Sequence, residues 1–183
     1  MLRSIVLMGL RGSGKSTIGP RLAERLPGFE FQDLDEAVLG DSSFASIADI
    51  VSAEGWAGFR QREFEQLSLW LWALDTLPEK RLVLALGGGT PTHEPSCALL
   101  QSAELHGIVA LVYLRNTPET LAQRMTNSAD RPSLTGDDPT AEIRRVFDDR
   151  DGLYCSIADA VIDADDLTID ATLDAIESAL QKL

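Results

Sequence analysis

The sequence predicts a single α/β domain whose parallel β-sheet is covered by helices on both faces. Short apolar runs typical of β-strands alternate with longer stretches that have helical periodicity. The connections between successive apolar runs are long enough to hold a helix, which parallel strands require. The length of 183 residues fits one domain covering 1–183, and the chain contains no repeat, linker or low-complexity tract that would divide it.

The first half of the chain contains two predicted strands and two predicted helical regions. The apolar run SIVLMG at 4–9 is the first strand, and FEFQD at 29–33 is the second. Between them, at 15–26, apolar residues recur every four positions until a Pro-Gly pair ends the helix. Apolar residues also recur at helical spacing through 45–76, which predicts a second helical region.

The second half of the chain continues the alternation of strand and helix. The predicted elements are strands at 81–89, 108–114 and 159–163 and helices at 118–125, 140–151 and 170–182. The first of these strands, RLVLALGGG, ends in three consecutive glycines. A polar stretch rich in Gly, Pro, Ser and Asp at 126–139 predicts a mobile loop.

The charge balance excludes some classes of function. Sixteen basic against 29 acidic residues give a net charge of −13, whereas a general nucleic-acid-binding protein needs a basic face. The same charge disfavours docking on an anionic membrane, and no apolar run approaches the roughly 20 residues of a membrane span. The apolar stretch at the amino terminus is too short for a signal peptide. We therefore expect a cytoplasmic protein that binds neither nucleic acid nor membrane.

The segment GLRGSGKST, which starts at Gly9, has the full pattern G-x-x-x-x-G-K-[ST] of a phosphate-binding loop. Its glycines allow a tight turn that aims several backbone N–H groups at one anion. Lys15 can reach the β- and γ-phosphates of a nucleotide, and the hydroxyl of Ser16 can bind Mg²⁺. Because the loop lies between a predicted strand and a predicted helix, as this mechanism requires, we predict a nucleotide site here.

Two carboxylates lie at the end of the second predicted strand. Asp33 and Asp35 are two residues apart in FQDLDEA, so we expect both side chains to extend from one face of the strand into the same crevice. One of them could hold Mg²⁺ through water while the other takes the proton of an attacking hydroxyl. Two acids in a loop are also common on solvated surfaces, so the pair by itself leaves both interpretations open.

Three arginines are candidates for binding anions. Arg60 precedes Glu63 by three residues on a predicted helix, where an ion pair could orient its guanidinium towards a carboxylate; alternatively, the two form an ordinary surface pair. Arg131, in the polar loop, could close over phosphates, and Arg150 could face a substrate. The three glycines that end at Gly89 would let a ligand approach the backbone closely.

In combination these motifs resemble the shikimate kinase family. The phosphate loop, F-x-D-x-D, SIAD…EGxxxFRxxE, GGG, an Arg-Pro pair and R-x-x-LY occur in the family's order between about residues 4 and 163. The resemblance implies a P-loop kinase fold with five parallel strands flanked by helices, a substrate-binding insertion at about 35–62 and a lid at about 126–139. The chain departs from the family at Gly152, where proline is common.

The resemblance also implies a reaction and roles for individual residues. The protein, which we expect to be a monomer, would transfer the γ-phosphoryl group of ATP to the 3-hydroxyl of shikimate, a step of aromatic amino-acid biosynthesis that requires Mg²⁺. ATP would be bound by Gly12, Ser13, Gly14, Lys15, Ser16, Thr17 and Arg131. Shikimate would be bound by Asp35, Arg60, Gly88 and Arg150, and Mg²⁺ by Ser16 and, through water, by Asp33. The catalytic residues would be Asp35, Lys15 and Arg131.

Two other interpretations stay open on the sequence alone. One is a related kinase for another small hydroxylated acid, such as quinate or gluconate, although a gluconate kinase should lack the pairing of FRxxE with GGG. The other is a nucleotide-binding regulator that has kept the fold and lost the transfer reaction. In such a regulator Asp35, Arg60 and Arg150 would be free to change, and the presence of all three favours an active enzyme.

Overall fold

The computed structural model describes residues 3–77, 79–125 and 139–183, which form one sheet with helices on both faces. The strands are β1 (Ser4–Met8), β2 (Phe29–Asp33), β3 (Arg81–Ala85), β4 (Val109–Arg115) and β5 (Ala160–Asp163). The helices are α1 (Lys15–Arg25), α2 (Leu34–Gly40), α3 (Ile47–Thr76), α4 (Glu94–Leu105), α5 (Pro118–Met125), α6 (Pro139–Ile157) and α7 (Ile169–Leu180). A short 3₁₀ turn, Thr90–Thr92, lies between β3 and α4.

The strands of the sheet pair in parallel, in the order β2-β3-β1-β4-β5. β1 is central, between β3 and β4, and all five of its residues are buried. Because every strand runs in the same direction, the loops that follow the strands meet at one edge of the sheet, where α/β proteins bind ligands. The predicted fold class, an α/β protein with five parallel strands flanked by helices, is confirmed.

Two apolar layers cover the sheet. On β1, Val6 and Met8 belong to the layer that contains helices α2 to α6, whereas Ile5 and Leu7 belong to the layer that contains α1 and α7. Burial on both faces explains why the strands read as apolar runs rather than as alternating patterns. None of the helices in the described ranges is both long and apolar enough to cross a bilayer.

The observed elements differ from the predicted ones in four places. The sequence does not predict α2 or α4; α4 begins in the segment TPTHEP, whose prolines hide the start of a helix. β3 ends at Ala85 rather than at 89, because the glycines leave the strand for a turn closed by a hydrogen bond from the Thr90 N–H to the Gly87 carbonyl. α6 continues beyond the predicted end at 151 to Ile157.

α3 is bent at Gly55. This residue has φ 71° and ψ 175°, which interrupts the helical backbone and suits glycine because it has no Cβ atom. Ile50 is buried before the bend, and Phe59 is buried after it. The part of α3 that follows the bend also carries Glu63, whose side chain reaches the 3₁₀ turn after β3.

Candidate active site

The loop between β1 and α1 contains glycines in conformations that other residues avoid. Gly12 and Gly14 have φ angles of 83° and 96°, and Gly14 directly precedes α1. The ammonium group of Lys15 donates to the carbonyl oxygens of Gly9, at 2.7 Å, and of Leu10, at 3.1 Å. The loop therefore combines a buried lysine with the amino end of a helix, both of which attract anions.

Asp33 connects the loop to the start of α2. Ser16 Oγ donates to Asp33 Oδ2 at 2.8 Å, and the backbone N–H of Asp35 donates to Asp33 Oδ1 at 3.0 Å. The second bond caps α2. The prediction that Asp33 and Asp35 share one face of a strand is therefore wrong, because Asp35 lies in the first turn of a helix. Both carboxylates nevertheless line the same cavity.

The first two glycines of the turn after β3 lie against different parts of the site. A Cβ atom on Gly87 would overlap Oε1 of Glu63 and lie 2.9 Å from Oδ1 of Asp35. A Cβ atom on Gly88 would lie 3.0 Å from the backbone nitrogen of Arg11 in the phosphate loop. A side chain at either position would displace a carboxylate or the phosphate loop, so the absence of a Cβ atom brings these groups together.

Two arginines converge on the third glycine of the turn. A Cβ atom on Gly89 would overlap the guanidinium of Arg60 and lie 3.2 Å from Nη1 of Arg150. Nη1 of Arg150 also donates to the carbonyl oxygen of Gly88 at 2.8 Å, and Tyr154 Oη donates to the same oxygen at 2.8 Å. Burial raises the pKa of Tyr154 to about 12, so its hydroxyl keeps the proton that it donates.

Arg60 is oriented by contacts on several sides. Its Nη1 donates to Oε2 of Glu63, and its guanidinium carbon lies 5.6 Å from the ring centre of Trp56 and 5.4 Å from that of Phe59. Glu63 is fully buried, and its other oxygen accepts from Thr90 Oγ1 at 2.5 Å. Burial raises the pKa of Glu63, and Arg60 and Thr90 offset only part of this effect. Because Glu63 is fully buried and Arg60 is partly buried, the pair is not an ordinary surface contact.

An ion pair next to Arg150 ties α6 to β4. Asp151 accepts from Nε and Nη2 of Arg115, both at 2.8 Å, and from Tyr113 Oη at 2.9 Å. The hydrogen bonds from Arg115 hold the pKa of Asp151 below its usual value. These contacts hold the part of α6 that carries Arg150 against the sheet.

A cavity of about 890 Å³ lies at this edge of the sheet. Its lining includes the predicted nucleotide-binding residues Gly12, Ser13, Gly14, Lys15, Ser16 and Thr17 together with Asp33, Asp35 and Gly88. Arg60 and Arg150 do not line this cavity but lie beside the glycine turn that borders it. The structure therefore brings together the predicted residues within the described ranges, whereas Arg131 and most of the predicted lid lie outside those ranges.

Sequence reasoning missed several residues that line the cavity. They include Arg124, Leu167, Ile169 and Thr172, and Arg124 Nη1 donates to the carbonyl oxygen of Gly12 in the phosphate loop at 3.3 Å. Arg124 follows the pattern of an exposed arginine in the last turn of a helix, so the sequence offers no signal for it. Ile169 and Thr172 are three residues apart on α7 and therefore lie on the same face of the helix. This spacing is only a weak indication that both residues line one cavity.

The sequence of this chain is similar to those of known proteins from one family. A model described as shikimate kinase matches residues 11–181. The chain is 35% identical to a shikimate kinase of Chlorobium luteolum over an alignment of 187 residues that covers 98% of this chain and 86% of the relative. It is 38% identical to shikimate kinase 2 of Dickeya chrysanthemi over 167 residues, which cover 90% of this chain and 88% of the relative.

A solved structure extends this similarity to three dimensions. Shikimate kinase from Acinetobacter baumannii in complex with shikimate superposes with a TM-score of 0.83 at 34% identity, and the match covers 100% of this chain and 93% of that one. Sequence and structure therefore agree over nearly the full length, and the chain belongs to the shikimate kinase family.

Proposed function

We propose that this protein transfers the γ-phosphoryl group of ATP to the 3-hydroxyl of shikimate. The observation that carries the proposal is the turn of Gly87, Gly88 and Gly89, which lies between the phosphate loop and two converging arginines. A site for the triphosphate and a site for the substrate carboxylate would thereby be adjacent. A kinase for a small acid needs this arrangement, because catalysis of phosphoryl transfer depends on positioning the two reactants.

On the nucleotide side, the loop from Gly12 to Thr17 would surround the phosphates. Backbone N–H groups of the loop and of the first turn of α1 would donate to phosphate oxygens. Lys15 would exchange its carbonyl partners for the β- and γ-phosphates and neutralise part of their charge. Arg131 would add a second positive charge, as the resemblance to the family implies.

Ser16 and Asp33 fit a Mg²⁺ ion. Mg²⁺ takes oxygen ligands, usually one or two from the protein and the rest from phosphates and water. The Ser16 hydroxyl and the Asp33 carboxylate lie within 2.8 Å of each other beside the phosphate loop. When bound, Mg²⁺ neutralises charge on the phosphate oxygens.

On the acid side, Arg60 and Arg150 would bind the carboxylate of shikimate. A guanidinium can donate two parallel hydrogen bonds to a carboxylate, and the two guanidinium groups meet at Gly89. Glu63 would keep Arg60 in this orientation through their ion pair. Gly88 would allow the substrate to come close to the backbone, because this residue has no side chain and lies between the phosphate loop and Arg150.

Asp35 would act on the reacting hydroxyl. It would take the proton of the 3-hydroxyl as that oxygen bonds to the γ-phosphorus, and the bond from the γ-phosphorus to the β–γ bridging oxygen would break to release ADP. Lys15 and Arg131 would stabilise the charge that develops on the transferred group. Asp35 suits this role because it lines the cavity together with the phosphate loop.

We further propose that the protein acts as a monomer in the cytoplasm. Cys97 and Cys155 are free thiols, which suits a reducing compartment. Size-exclusion chromatography with light scattering would test the oligomeric state, and cell fractionation would test the location.

An ADP-release assay with shikimate, quinate and gluconate as alternative acceptors tests the proposed reaction. We expect kcat/KM for shikimate to exceed the other two by about tenfold or more, because a site built for particular hydroxyl groups rejects acids that present them differently. A preference for quinate or gluconate would identify a kinase for another acid. ADP release with none of the three, from a folded protein that binds ATP, would indicate a regulator.

A further inference from the structure

Thr90 is a fully buried polar residue at the start of the 3₁₀ turn after β3. Its Oγ1 lies 2.5 Å from Glu63 Oε1 and 3.0 Å from the carbonyl oxygen of Gly87. A threonine hydroxyl has one hydrogen, and the shorter distance and the negative charge both favour the carboxylate as its acceptor. Thr90 therefore connects the glycine turn directly to the buried acid that holds Arg60.

Glu63 has little freedom to replace this contact. It is fully buried, and the backbone of Gly87 lies so close that a Cβ atom there would overlap Glu63 Oε1. The charged and titratable groups that face it are Arg60 on α3, Asp35 on α2 and Tyr154 on α6. Thr90 is thus the donor to one carboxylate oxygen while Arg60 donates to the other.

We propose that Thr90 is a positioning residue that sets the affinity for the substrate carboxylate by holding Glu63 in the orientation that binds Arg60. The inference rests on the proposed function, in which Arg60 binds that carboxylate. Thr90 would contact neither substrate. Its effect would pass through one side chain, from the Thr90 hydroxyl to Glu63 and from Glu63 to the guanidinium of Arg60.

Loss of the Thr90 hydroxyl should change how Glu63 ionises. A donor stabilises the carboxylate form, so removing it raises the pKa of Glu63 beyond the increase that burial already causes. Glu63 would then be protonated at a higher pH than in the original protein. A protonated Glu63 no longer attracts the guanidinium, so Arg60 loses its orientation first under mildly acidic conditions.

The test compares Thr90→Val, which keeps the shape and removes the hydroxyl, with Thr90→Ser, which keeps the hydroxyl. We expect Thr90→Val to raise KM for shikimate by about 5- to 20-fold and to leave KM for ATP unchanged; the increase is smaller than the roughly 10- to 150-fold for losing a hydrogen bond to a charged group, because Thr90 acts through Glu63 and not on the substrate. Thr90→Ser should restore most of the affinity. Thr92→Val is the matched control, because Thr92 Oγ1 donates to Gly89 of the same turn at 2.7 Å but not to Glu63.

The pH dependence separates positioning from a general loosening of the turn. The ratio of KM for shikimate in Thr90→Val to that in the original protein should grow as the pH falls from 8 to 6. A ratio that stays constant with pH, or a Thr92→Val variant with the same increase in KM, would overturn the inference. Arg60→Ala tests the proposed function separately: if it raises KM for shikimate while Thr90→Val does not, only the role of Thr90 is wrong.

Discussion

Among single residues, Asp35 is expected to act on the reacting hydroxyl, whereas Arg60 and Arg150 are expected to contact a carboxylate that does not change during the reaction. A contact that is equally strong in the ground state and the transition state sets KM, and a contact to a moving proton sets kcat. Steady-state kinetics on single variants can therefore distinguish the two kinds of residue.

We expect Arg60→Ala and Arg150→Ala to raise KM for shikimate by about 10- to 150-fold, the effect of losing a charge-assisted hydrogen bond in a partly desolvated site. Asp35→Asn should instead lower kcat by roughly 10²- to 10⁴-fold, because an amide cannot accept the proton. KM for ATP should change little in all three variants. The carboxylate site is misassigned if neither arginine variant affects KM for shikimate.

Lys15 should be essential for turnover. Lys15→Met removes the positive charge expected at the β- and γ-phosphates, so kcat should fall by about 10²-fold or more, as when other preorganised charge contacts are removed. Arg21→Met is a suitable control, because Arg21 is an exposed basic residue on the same helix whose Nη1 donates to the Thr17 carbonyl. Near-normal kcat in a folded Lys15→Met protein would contradict the assignment of the phosphate loop.

At the scale of elements, α6 contains a glycine that its structure does not require. Gly152 lies inside the helix and is exposed, and in the described ranges no atom outside its own helix backbone comes within 4 Å of the position that a Cβ would take. Arg150, two residues earlier, lies in the same helix. The helix therefore holds the backbone of Arg150 in place, although Gly152 stands where proline is common in the family. Alanine at this position should therefore be tolerated by the fold and by the substrate site.

We predict that Gly152→Ala raises the free energy of unfolding by about 0.5–1 kcal/mol, because alanine loses less backbone entropy on folding. The expected increase in Tm is about 1–4 °C for a domain of this size. Gly107→Ala is the matched control: its Cβ also has space, but its φ of 72° disfavours any residue other than glycine, so this variant should be less stable. Thermal unfolding of both variants provides the comparison.

The sequence predicted most elements correctly because burial on both faces of the sheet leaves a strong apolar pattern in the strands. It did not predict α4, whose buried residues Ser96, Leu100 and Ala103 form a weak stripe after a segment rich in proline. It also treated Asp35 as part of a strand end, although Asp33 followed three residues later by Glu36 is a recognised pattern for the start of a helix. The apolar FEF run before it favoured a strand, and the prediction extended that strand beyond its end at Asp33.

Site residues could be predicted from the sequence where they belong to a motif in which that residue nearly always has the same role. Lys15 in the phosphate loop is such a residue. Thr90 and Arg124 were not predictable in this way. A threonine after three glycines has many possible partners, and only the packing of α3 against the turn selects Glu63. Arg124 reaches Gly12 because α5 ends beside the phosphate loop, and that proximity is a property of the folded sheet.

For the molecule as a whole, stability should depend on pH through the ion pair between α6 and β4. Arg115 lowers the pKa of Asp151 in the folded state, so folding is favoured by the ionised form. The resulting stabilisation is present above the unfolded pKa of about 3.9 and is lost as the pH falls through the lower folded pKa. The Arg115 side chain is 38% exposed, which keeps the contribution at about 1 kcal/mol or less.

We expect Asp151→Asn to lower Tm at pH 6–7 and to have a progressively smaller effect as the pH falls below about 4, because protonation of Asp151 in the unfolded chain then favours unfolding of the original protein. Thermal unfolding of both proteins between pH 3 and 7 gives the comparison. A difference in Tm that stays the same down to pH 3 would show that the ion pair contributes through packing rather than through charge.

The strand order has a consequence for synthesis on the ribosome. β1 is made before both of its neighbours in the sheet, β3 and β4, which end at Ala85 and Arg115. At roughly 5–20 residues per second, the apolar run of β1 waits about 5–20 s before β4 has been made. During that time the edge of β1 that pairs with β4 has no partner, so the nascent chain is exposed to aggregation and is a natural client for chaperones that bind apolar segments.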